Sequence, residues 1–557
     1  MASTKTIIYQ VLSRLYGNSC QTRKHFGTLA DNGCGKFADF SPSVLKALRE
    51  RGITHIWYTG VLRHASATDY SAIGIPRQHP AVVKGTAGSP YAVADYYDVC
   101  PDLAVKPKQR MKEFEQLINR THRAGLKVVI DFVPNHVARQ YQSIAKPEGV
   151  TDLGAEDDIR QGFHPDNNFY YCPGQDFTPY FDLYHGATEP YFERPAKATG
   201  NDCFHNAPGS NDWYETVKLN YGVDYYAGQT PSTLRLLDTL GHVPSTWQKM
   251  ADILLYWAAK GVDAFRCDMA EMVPTEFWSW AIAKVKTEYP DLLFIGEVYN
   301  PQLYRQFIGA GFDYLYDKVG MYDTLRDVVC HRRPTSAISQ AWQQTDDIRQ
   351  HMLYFLENHD EQRIASDFFA ADGAKAIPAL AVCLLLNDSP FMYYMGQEYG
   401  ERGMDEEGFS GRDGRTTIFD YWSVDTLVRA RNGQLTAEEL QLADTYQRLS
   451  LIARKEKTVS EGLSFDLTYA NTDQPWIYPF LRKSGKELLI VAANFDDNDC
   501  EAHITIPKHA FDYLQLTAGQ YAATELLTSA TSDITLRPDS QLTLSIGSRS
   551  VKILKIS

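Results

Sequence analysis

The chain has 557 residues, too many for one hydrophobic core, so a large domain with one or two smaller ones is expected. Its composition is that of an ordinary globular protein, 44% hydrophobic and 22% charged, and a net charge of −14 leaves no basic surplus to neutralise nucleic-acid phosphates. Nine scattered cysteines without CxxC spacing read as packed thiols rather than a disulfide framework or zinc site.

The N-terminal stretch "MASTKTIIYQVLSRLYGN" lacks an apolar signal core, and no run of about 18 apolar residues follows it. A cytoplasmic protein with no membrane partner is the expectation, or a secreted or periplasmic one if a signal peptide has been removed. Eight short runs rich in Ile, Val, Tyr and Phe then alternate with helical patterns: "TIIYQVL", "ITHIWYTGV", "KVVIDFVPNH", "VDAFRCDM", "DLLFIGEV", "FDYLYDKVG", "MLYFLENHD" and "PFMYYMGQE". Between them, "KQRMKEFEQLINRTHRAG" places Met111, Phe114, Leu117 and Ile118 on one face and ends at Gly125. "PSTWQKMADILLYWAAKG" does the same with Trp247, Met250, Ile253, Leu254 and Trp257, and Gly261 closes it. Eight strand–helix units point to an α/β fold, a (β/α)8 barrel of the triosephosphate-isomerase (TIM) type.

The rhythm breaks after "DFVPNH", where a long Gly-, Pro-, Asn- and Asp-rich stretch precedes the helix at Ser245; a structureless loop of that length is improbable. Residues 137–225 therefore read as an inserted domain B after strand three, with the barrel built from 1–136 and 226–457. From 458 to 557 only short alternating runs appear, among them "WIYPFLR", "KELLIVAANF" and "EAHITIP", which predict a C-terminal antiparallel β-sandwich.

In such a barrel the chemistry sits at the C-terminal strand ends. Five runs end in carboxylates: Asp131, Asp268, Glu297, Asp360 and Glu398. Period two puts Ala264, Arg266 and Asp268 on one face of their strand, so Arg266 is expected to lower the Asp268 pKa and keep it ionised. Each feature has a plainer reading. Asp is a favoured helix N-cap, "ENHD" reads as a capping loop, His136 as a satisfied core histidine and Asn135 as a loop hydrogen-bonder. Three carboxylates, one Arg and two His at matching strand ends are harder to explain that way together.

Four motifs in order, "DFVPNH" (131–136), "GVDAFRCDM" (261–269), "FIGEV" (294–298) and "FLENHD" (355–360), resemble those of the alpha-amylase family, glycoside hydrolase family 13. The resemblance implies Asp268 as nucleophile, Glu297 as general acid/base and Asp360 as the third carboxylate, with Arg266, His136 and His359 contacting the sugar at the scissile bond. "SPYAVADYYDV" resembles the segment that would supply Tyr91 beneath that sugar and Asp95 to brace it. It also implies a calcium site that uses Asn135 and a backbone carbonyl at Met272, with no organic cofactor. Retaining hydrolysis of alpha-1,4-linked glucans or maltooligosaccharides through an aspartyl glycosyl-enzyme follows as the expected activity. A transglycosylase, a sucrose-active enzyme or a trehalose-forming isomerase could use the same site, and a non-catalytic carbohydrate-binding relative is a third class. Such relatives lose the carboxylates, which this chain keeps. Glu271 and Met272 stand where hydrolytic amylases often carry Lys-His, and substrate choice is expected to be written there.

Overall fold

The computed structural model describes residues 5–183, 189–232 and 236–556; residues 184–188 of the expected insertion, and the chain ends at 1–4 and 557, lie outside them. All eight runs form strands: β1 (Ile7–Leu12), β2 (His55–Thr59), β3 (Lys127–Phe132), β4 (Ala264–Cys267), β5 (Leu293–Gly296), β6 (Tyr314–Tyr316), β7 (Met352–Phe355) and β8 (Phe391–Tyr394). They pair in parallel, each with its successor, and β8 closes on β1. No backbone edge is left open on this closed sheet.

Alternation divides the strand side chains between two interiors. Ile8, Trp57, Val129, Ala264, Ile295, Leu353 and Met392 fill the barrel. Phe265, Cys267 and Phe294 point outward and pack with the surrounding helices. The helix Ser245–Ala259 buries Trp247, Met250, Ile253, Leu254 and Trp257, the stripe its sequence predicts. It ends where Gly261 takes φ +93°, a conformation other residues adopt only with strain.

After β3 the chain leaves the barrel through His136–Ala138, which pairs antiparallel with Thr216–Lys218, setting His136 opposite Lys218. Arg139 clamps this ribbon: its guanidinium meets Glu193 at 2.8 Å and donates to the carbonyls of Tyr214 and Thr216.

The C-terminal region contains β9 (Leu463–Asp466), β10 (Ile477–Ser484), β11 (Glu487–Asn494), β12 (Cys500–Ile506), β13 (Gly519–Glu525), β14 (Thr531–Leu536), β15 (Ser540–Ile546) and β16 (Val551–Ile556). Six form an antiparallel sheet in the order β9-β10-β11-β16-β13-β14, and β12 pairs with β15 as a second sheet. In β11, Leu488, Ile490 and Ala492 face the second sheet's Ala502, Ile504, Leu542 and Leu544. Leu489, Val491 and Ala493 face the opposite way, into the barrel's own core cluster. Burial on both faces explains why "KELLIVAANF" reads as an unbroken apolar run.

Candidate active site

The register of β3, β4 and β5 assembles the centre of the site. Arg266 lies opposite Asp131 on one neighbour and Ile295 on the other, so all three project into the barrel at one level. The ladder continues one residue past the strand ends: Asp268 N donates to Phe132 O, and Glu297 N to Cys267 O. Both carboxyls are thus held by backbone as well as side chain. Gly296 is needed just before Glu297, because a Cβ there would lie 2.8 Å from the Leu315 side chain. Beyond Asp268, Met269 adopts a left-handed conformation (φ 45°) and its N–H donates to Glu297 Oε2 at 2.8 Å.

Arg266 grips both carboxyls. Its Nη1 is 2.5 Å from Asp268 Oδ1 and its Nη2 is 2.8 Å from Glu297 Oε2. Asp131 Oδ1 lies 3.7 Å away, and the guanidinium stacks among Trp57, Tyr91 and Tyr316. A planar fork spanning two carboxyls fixes their spacing as a point charge could not.

Arg266 lowers the Asp268 pKa as expected, but the expected net shift is corrected. Burial pushes the Asp268 carboxyl above its ordinary value, and the guanidinium only opposes that rise. Desolvation of a charge in a closed barrel mouth outweighs one favourable neighbour that is shared among several carboxyls. Burial likewise raises Glu297, with Asp268 adding to the rise and Arg266 opposing it. Asp131 is pushed to about 7, by burial first. Asp360 is pushed to about 8 by burial and by the Glu297 charge, although its side chain keeps 32% exposure to the cavity. Of this group, Asp268 has the shortest contact with the cation, which opposes the loss of its charge most directly.

The histidines are neutral donors. Burial, then the Arg266 charge, holds His359 well below its ordinary range. The Gln10 amide nitrogen lies 2.8 Å from His359 Nδ1, so Nδ1 accepts and the ring proton sits on Nε2, 2.6 Å from the Tyr91 hydroxyl and 3.1 Å from Asp360 Oδ2. Tyr91 stacks on this ring at 5.1 Å. His136 is pushed down to about 3 by burial, with Lys218 and Lys84 adding to the effect. These groups surround a cavity of about 370 Å³ lined by Tyr91, His136, Asp268, Glu297, His359 and Asp360, a size suited to a small polar ligand.

Other expected residues lie elsewhere. Asp95 is fully buried away from the cavity: it accepts from the Ser143 hydroxyl and the N–H groups of Ile144 and Ala145, and meets Arg63 at 3.4 Å. Glu398 turns away from the barrel mouth and is held by Tyr9 and Arg51. Glu271 accepts the N–H groups of Tyr299 and Asn300, and neither it nor Met272 lines the cavity. Asn135 sits behind His136, and its Oδ1 is already bonded to the Lys218 ammonium at 2.7 Å.

Several cavity residues escape sequence reasoning. Trp213 packs edge-on to His136, Lys84 pairs with Glu215 at 3.1 Å, and Phe409, Ile418 and Phe419 form an apolar wall. The last three come from the segments that follow β8. Tyr299, two residues past Glu297, donates its hydroxyl to Glu297 Oε1 at 2.6 Å. Removing that donor withdraws support from the charged carboxylate, so Tyr299→Phe is expected to move the alkaline limb of kcat/KM upward by about half to one pH unit. An alkaline limb identical to the parent's in a full pH–rate profile contradicts a role for Tyr299 in positioning Glu297.

A family model described as the alpha-amylase catalytic domain matches residues 42–459. The chain is 24% identical over 397 residues to alpha-amylase 3 of Dictyoglomus thermophilum, covering 67% of this chain and 68% of that one. It is 25% identical over 508 residues to an alpha-amylase of Streptomyces lividans, covering 84% of this chain and 51% of that one. A maltogenic alpha-amylase structure from Thermotoga neapolitana superposes with a TM-score of 0.63 over 99% of this chain and 98% of its own, at 19% identity, a likeness of fold. With more than half of its length matched by that family model, and with the eight-stranded parallel barrel, the chain belongs to the alpha-amylase family of glycoside hydrolases.

Proposed function

We propose that the protein is a retaining alpha-glycoside hydrolase that cleaves alpha-1,4-linked glucans or maltooligosaccharides by double displacement. The observation that supports this reading is the single guanidinium of Arg266 ion-paired with both Asp268 and Glu297, two carboxyls that line the same cavity. Retaining glycosidases need such a pair about 5 Å apart, one ionised and one protonated.

Glu297 Oε2 accepts the Met269 N–H and lies 2.8 Å from Arg266 Nη2, while Oε1 accepts the Tyr299 hydroxyl, which can turn to accept when Glu297 carries a proton there. In the first step an Asp268 oxygen attacks the anomeric carbon as the glycosidic bond breaks. The Glu297 proton passes to the departing oxygen, leaving a covalent aspartyl ester and a free sugar hydroxyl. In the second step Glu297, now a carboxylate, takes a proton from water as that water's oxygen attacks the same carbon and releases Asp268. Two inversions give retention. His359 through Nε2–H and His136 are placed to hydrogen-bond the sugar, Arg266 acts from beneath through the two carboxyls, and Tyr91 and Trp213 offer aromatic faces.

The substrate class follows the alpha-amylases that the chain resembles, and product analysis tests it. With maltoheptaose, chromatography is expected to yield only shorter maltooligosaccharides, initially as the alpha anomer. Products longer than the substrate would favour transfer, trehalose would favour isomerisation, and a beta-anomeric first product would overturn the retaining mechanism.

A further inference from the structure

Lys218 is almost sealed from solvent, its side chain 2% exposed, on the ribbon strand that faces His136. Its ammonium lies 2.7 Å from Asn135 Oδ1, 2.6 Å from Asp202 Oδ1 and over the Tyr225 ring at 5.4 Å. An ammonium only donates, so the Asn135 oxygen must face Lys218 and its amide must point the other way. That amide donates to Gly200 O at 2.8 Å and faces His136 Nδ1 at 3.2 Å. Since the amide has no lone pair to offer, Nδ1 accepts, and the His136 proton is left on Nε2 for a sugar hydroxyl.

The family resemblance implies calcium at Asn135, and the residues present do not fit it. Calcium takes six to eight oxygen ligands at about 2.3–2.6 Å. Sharing Asn135 Oδ1 with Lys218 would bring a doubly charged ion to within about 5 Å of a buried ammonium, with little water to screen the repulsion. The Asp202 carboxylate that could assist such an ion is already paired with the same lysine.

We propose that Lys218 is a built-in cation that fixes Asn135 and through it the orientation and tautomer of His136, making this site independent of calcium. Lys218 is a positioning residue: it touches neither the cavity nor the reacting atoms.

The test compares thermal unfolding of the full chain in excess EDTA and in millimolar calcium chloride. The two Tm values are expected to agree within about 1 °C, because an ion that does not bind the native state cannot stabilise it. A calcium-dependent rise of about 3 °C or more overturns the proposal. This arm needs no substrate, so its outcome is separate from that of the proposed reaction.

Lys218→Met supplies the second arm. It is expected to lower Tm by about 3 °C or more, because it strands Asp202 and Asn135 without their donor. Assayed well below its own Tm, it is also expected to lose about tenfold in kcat/KM, since the histidine donor is no longer held. Parental Tm and parental kcat/KM in this variant would overturn the proposal. If the variant does not fold, the calcium titration of the parent still decides.

Discussion

Asp268→Asn is expected to lose turnover by a factor on the order of 10⁴ or more, with its Tm within about 3 °C of the parent. The amide keeps an oxygen for Arg266 Nη1 but cannot form a glycosyl ester with the substrate. The fold is spared because that side chain pays little of the barrel's stability: burial already disfavours its charge. The measurement is initial rate on maltoheptaose beside a thermal melt. A variant within tenfold of the parent removes Asp268 from the nucleophile's role. A second readout is mass spectrometry with a slow-turnover fluorinated glycosyl substrate, which should tag the peptide containing Asp268 in the parent only.

Asp360→Asn separates activity from stability by pH. The folded Asp360 carboxyl is raised to about 8 from an ordinary value near 4, by burial and then by Glu297. Below that ordinary value both folded and unfolded chains are protonated, and the carboxyl adds no pH-dependent term. Between about pH 4 and 8 the unfolded chain releases its proton while the folded chain keeps it, so stability falls as pH rises. The neutral amide does not titrate. Asp360→Asn is therefore expected to melt about 2 °C or more above the parent at pH 8, with the difference shrinking toward pH 4, and to lose about 10³-fold in kcat. Equal Tm gaps at both pH values would contradict the assignment of a raised Asp360.

Much of the fold was readable because each barrel strand carries its own apolar run, and the strand ends announce themselves when a carboxylate breaks such a run. Asp268 and Glu297 end up together because their strands are neighbours, an arrangement that chain order dictates in a barrel. Asp95 misled because its partners, Arg63, the Ser143 hydroxyl and the amides of Ile144 and Ala145, are remote in sequence. Glu398 misled because it lies four residues past its strand, where the path of the turn, not the strand's alternation, decides which way a side chain faces. Tyr299 was hidden among 34 tyrosines, with no local pattern that distinguishes a donor to Glu297 from a core ring. The direction of the Asp268 shift was misjudged because adjacency to Arg266 is visible in a sequence and depth of burial is not.

Strands β10 and β11 carry one further consequence. Tyr478, Phe480, Leu489 and Val491 belong to the core around the outside of the barrel, and Leu481, Leu488 and Ile490, from the same two strands, belong to the interior between the C-terminal sheets. They form a party wall. Cutting the chain before β10 would leave the catalytic half with a bare oily stripe facing water, and cutting after β11 would do the same to the other half. The two interiors are therefore expected to melt as one cooperative unit, although no residue of the C-terminal region lines the cavity.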